Sequence, residues 1–62
     1  MKDQRSNTRP TILILEDDRD TLEEVNETLT DDGFLTLCAK NIQTFENLTK
    51  HHVIDLFLID LN

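Results

Sequence analysis

Four carboxylates stand where the sequence could turn them to chemistry. Glu16, Asp17 and Asp18 follow directly on the apolar run Ile12-Leu13-Ile14-Leu15, and Asp60 closes a second run, Leu56-Phe57-Leu58-Ile59. Four successive apolar residues with no polar alternation predict a strand covered on both faces, the pattern of a parallel sheet. In open α/β sheets, ligands bind beyond the carboxyl ends of the strands, at the point where strand order reverses. If the order is 2-1-3, strands one and three are neighbours about 4.8 Å apart, and Asp17 and Asp60 point into one crevice. Carboxylates that close raise one another's pKa unless a cation lies between them. A hard, oxygen-seeking ion such as Mg²⁺ resolves that conflict while keeping several of its waters. Acids after a strand can also simply favour the N-terminus of the next helix. That plainer role accounts for Asp18 and Asp20 but poorly for Asp60, which no helix follows in these residues.

The intervening residues must position these acids. Residues 11–15 form the first strand. From residue 19 to about 30, Leu22, Val25 and Leu29 recur with helical spacing. Asp18 suits the cap of that helix, and Gly33 suits the left-handed residue that ends it. Residues 34–39 read as a second strand, with Thr36 and Cys38 on one side. A weaker helix over residues 42–50 carries Ile42, Phe45 and Leu48 as its apolar positions, and residues 56–59 form a third buried strand that stops at Asp60. Strands alternating with helices of this length run parallel through right-handed crossovers. The fold class is therefore α/β, a βαβαβ unit. Residues 1–10, polar and ending in Pro10, read as a flexible N-terminal arm.

Composition narrows the function classes. The chain has 62 residues and a net charge of -7. That charge argues against nucleic acid and anionic membrane surfaces, which select basic patches. No apolar run approaches the roughly 20 residues of a membrane span, and the polar N-terminus has no signal-peptide core. The glycosylation patterns at residues 26–28 and 47–49 are then expected to be chance, and a reducing cytoplasm, with Cys38 a free, buried thiol, fits best. A domain this short buries only roughly 60% of the surface of its unfolded chain. With a single cysteine and no zinc-like cluster, association with another chain is the remedy left.

The segments I-L-I-L-E-D-D (residues 12–18) and L-F-L-I-D-L-N (residues 56–62), at this separation, resemble the first half of a bacterial response-regulator receiver domain of two-component signalling. The likeness covers residues 11–62 and extends to Asp55 and to Asp32-Gly33-Phe34. It implies a flavodoxin-like receiver fold truncated to βαβαβ, with three parallel strands in order 2-1-3. It further implies that Glu16 and Asp17 are the acidic pair that binds Mg²⁺, Asp17 directly and Glu16 through water. Asp60 is then the phosphoacceptor, and the backbone carbonyl of Asn62 a further metal ligand. The implied partner is a sensor histidine kinase or phosphotransfer protein, and the implied role is a signalling switch rather than a turnover enzyme. Receivers also grip the phosphoryl oxygens with a Ser/Thr and a Lys from later strands. Lys40 and Lys50 lie in the wrong elements to substitute, so phosphorylation is expected to be impaired.

Two readings compete. One is a non-catalytic half-domain that pairs with a second copy, or with a complementing second half, to cover an unpaired strand edge. The other is a phosphatase of the haloacid-dehalogenase type, which wants D-x-D-x-T. Here Thr21 follows Asp18-Arg19-Asp20 one position too early and Leu22 takes its place, so the pattern fails. His51 and His52 read as solvated residues at a helix end, where cations are favourable. The face bearing Glu23, Glu24 and Glu27 reads as solvated surface, although receivers use their first helix for kinase docking.

Overall fold

The structure, a computed structural model, describes residues 9–60. Residues 1–8, most of the expected N-terminal arm, lie outside the described residues, as do Leu61 and Asn62. The elements run β1 (Thr11–Glu16), α1 (Arg19–Asp31), β2 (Leu35–Ala39), α2 (Ile42–His51) and β3 (Leu56–Asp60). The three strands form one parallel sheet in the order β2-β1-β3. The α/β class and the βαβαβ succession therefore stand as the residue pattern predicts, and the 2-1-3 order as the resemblance implies.

β1 is the centre of the molecule because it is paired on both edges and covered on both faces. Its side chains alternate. Ile12 and Ile14 pack with Leu22, Val25 and Leu29 of α1 and with Phe34. Leu13 and Leu15 pack on the other face with Ala39, Leu37, Phe45, Leu48 and Ile54. Each helix thus buries its apolar stripe against one face of the same strand, giving three layers.

Local chemistry sets the ends of the helices. Asp18 caps α1 by accepting from the Thr21 amide at 3.1 Å. At the other end Gly33 takes φ +96°. The Gly33 amide donates to the Thr30 carbonyl at 3.0 Å and the Phe34 amide to the Leu29 carbonyl at 3.1 Å. This paired closure satisfies the last carbonyls and needs a left-handed residue between them. Asn41, not singled out by the sequence pattern, caps α2 through its Oδ1, which accepts from the Thr44 amide at 2.8 Å.

Three expectations are corrected. β3 is not a buried strand: Leu56, Phe57, Leu58 and Ile59 are 57%, 48%, 41% and 53% exposed. A helix about 10–12 Å across covers about two strands spaced 4.8 Å apart, and both helices lie over β1 and β2. Only Phe57 gains an aromatic neighbour, Phe45, at 5.6 Å between ring centroids. Cys38, expected to be buried, is exposed, because β2 is an edge strand and Cys38 lies outside the apolar cluster under α1. Ile42 does not join Phe45 and Leu48 in the core and is also exposed. The boundaries differ by a residue: Glu16 and Asp60 belong to their strands, Phe34 precedes β2, and α1 and α2 each run one residue further.

A Cβ added at Gly33 would meet nothing within 4 Å, so a substitution there costs backbone strain alone. Gly33→Ala is expected to lower stability by about 1 kcal/mol, and Gly33→Asn by less, since Asn tolerates the left-handed region. Denaturant unfolding of the two variants checks this; equal losses would mean that the turn does not require that conformation.

Candidate functional site

The carboxyl ends of β1 and β3 bring acids from opposite ends of the sequence together. Glu16 is the last residue of β1 and is in register with Asp60, the last residue of β3. Residues two apart on a strand share a face, so Glu16 follows Ile12 and Ile14 onto the side of α1. Asp60, level with it, projects to the same side. A slip of one residue would turn Asp60 to the opposite face. The register is fixed at the far end, where the Thr11 amide donates to Asp55 Oδ2 at 2.7 Å and the Asp55 amide donates to the Thr11 carbonyl at 2.9 Å. An acid immediately before an apolar run was the visible signal; its use as a tie between strand entrances was not.

The environments of the acids differ sharply. Asp17 and Asp60 are exposed. Glu16 is only 1% exposed, a buried charge at the rim of an apolar core. Its Oε2 accepts from the Asp18 amide at 2.9 Å, whereas its Oε1 is buried with no hydrogen-bond partner among the described residues. The Asp18 amide draws the Glu16 pKa down. Lost hydration together with the carboxylates of Asp60 and Asp17 outweighs it, leaving the pKa raised above the ordinary 4.5. The hydroxyl and amide of Thr21 lower the pKa of Asp18, as expected for a capping carboxylate.

Glu16, Asp17 and Asp60 are thus brought to one end of the sheet, with Glu16 interacting with both of the others. Asn62, the remaining expected ligand, lies outside the described residues. Among the described residues, no three Asp, Glu, His or Cys side chains are gathered closely enough to hold a metal ion as they stand. In type, though not in spacing, these donors are ones that a small hard cation takes. Mg²⁺ is commonly held by one or two carboxylates with retained water, and an unpartnered buried carboxylate oxygen is a group that such an ion satisfies. His51 and His52 belong to the opposite end of the molecule. The His51 ring Nδ1–H donates to the Asn47 carbonyl at 2.8 Å in the last turn of α2. No helix among the described residues is long and apolar enough to cross a membrane. No family model, no curated protein and no solved structure matches the chain.

Asp55→Ala removes the tie to the Thr11 amide and is expected to cost on the order of 1 kcal/mol, read by denaturant unfolding; Asp55→Asn, which keeps an acceptor, should recover most of it. A raised folded pKa also has a definite sign in stability. Below the unfolded value of 4.5 the stabilising contribution of Glu16 is fully present, and it is lost as pH rises through the folded value. Asp18 acts oppositely: its contribution is present above 3.8 and is lost as pH falls through its depressed folded value. Thermal melts in metal-free buffer from about pH 3 to about pH 8 should show both limbs. Glu16→Gln should flatten the upper limb alone; an unchanged upper limb would remove Glu16 as its source.

Proposed function

We propose that this chain is a phosphoacceptor receiver module of a two-component phosphorelay, accepting a phosphoryl group on Asp60 from a sensor histidine kinase or phosphotransfer protein in the cytoplasm. The observation that carries the reading is the level pairing of Asp60 with the buried, partly unpartnered Glu16 at the carboxyl edge of a parallel sheet. The resemblance of residues 11–62 to receivers adds the roles.

Asp60 is the exposed member of that pair, which suits a nucleophile that must meet a phosphohistidine on a partner protein. One of its carboxylate oxygens attacks phosphorus, the phosphorus–nitrogen bond breaks, and the imidazole leaves with the bonding pair and takes up a proton. Phosphoryl transfer asks little covalent activation of the protein and depends chiefly on positioning and charge. Positioning comes from the β1–β3 register. Charge is the difficulty, because a phosphoryl group adds about -1.5 to -2 to an edge that already holds three acids. Mg²⁺, when bound, offsets charge on the transferring oxygens, and Glu16, Asp17 and Asp60 are the residues that would hold it. The Ser/Thr and Lys with which receivers grip those oxygens have no counterpart in residues 11–62: Lys40 follows β2 and Lys50 lies in the last turn of α2. Adduct formation by residues 11–62 on their own is therefore expected to be slow or short-lived.

A second reading, assembly with another copy of the chain, is favoured by one observation. Among the described residues, β3 presents a hydrogen-bonding edge with no strand beside it and apolar side chains on both faces. Such an edge is a template for another strand.

Incubation with acetyl phosphate and Mg²⁺ followed by intact-mass measurement should give a phosphoryl adduct on the wild type and none on Asp60→Asn. In metal-free buffer Asp60→Asn should melt at the same temperature or slightly higher, since it removes one of the crowded charges. No adduct on the wild type would overturn the phosphoacceptor reading. For the second reading, sedimentation should show a dimer that Leu58→Lys disrupts; a stable wild-type monomer would overturn it.

A further inference from the structure

We draw no further inference here: the strongest candidate outside the acidic edge and the β3 surface, the exposed face of α1 bearing Asp20, Glu23, Glu27 and Asp31, carries nothing, because no buried unpartnered group among the described residues points into it and a row of acids on an open helix face is otherwise solvated surface.

Discussion

The parallel pairing of β1 with β3 is the constraint on which the rest of the structure depends. The two strands are 44 residues apart at their closing acids, and nothing local brings Glu16 and Asp60 together. They meet because β1 is apolar from Ile12 to Leu15, is buried on both faces, and accepts a neighbour on each edge. The helices serve this arrangement. Each lays its apolar stripe on a different face of β1, and each returns the chain so that the next strand enters from the same end.

That pairing creates an electrostatic conflict that the protein settles only in part. One oxygen of Glu16 is satisfied by the backbone at the start of the next turn, and the other is buried with no donor among the described residues. Natural structures leave few buried polar atoms unpaired, and such atoms concentrate where an ion or water belongs or where strain is kept for function. The neighbouring acids make the burial costlier still, which is why the Glu16 carboxyl holds its proton more firmly than an ordinary glutamate. Local stability and charge placement pull in opposite directions at this edge, as is common where chemistry is done.

Much of the fold was legible because its signals are short-range. Continuous apolar runs marked β1 and β3, helical spacing of Leu22, Val25 and Leu29 marked the buried stripe of α1, and Asp18 and Gly33 sat where capping chemistry places them. Cover was not legible. An apolar run records what a strand can bury, whereas burial itself depends on which elements reach it, and neither helix reaches across β3. Cys38 failed differently: β2 is covered, but Cys38 sits on its edge, outside the apolar cluster under α1. The candidate site divides similarly. Asp17 and Asp60 announced themselves by following apolar runs, but the burial of Glu16 required carrying the alternation of Ile12 and Ile14 one step further, past the point where charge suggests that the strand has ended. Asp55 was visible as an acid before an apolar run, but its tie to Thr11 joins residues 44 apart and has no local signature.

The sparse anchoring of β3 also sets the order in which the molecule comes apart. Among the described residues this strand is hydrogen-bonded along one side only and has no helix lying over it, so peeling it away should cost less free energy than opening β1. Asp60 rides on that strand. Fraying of β3 would therefore scatter the carboxylates while β1, β2 and both helices stay folded, and amide exchange in residues 56–60 reports on the integrity of the acidic edge rather than on the domain as a whole.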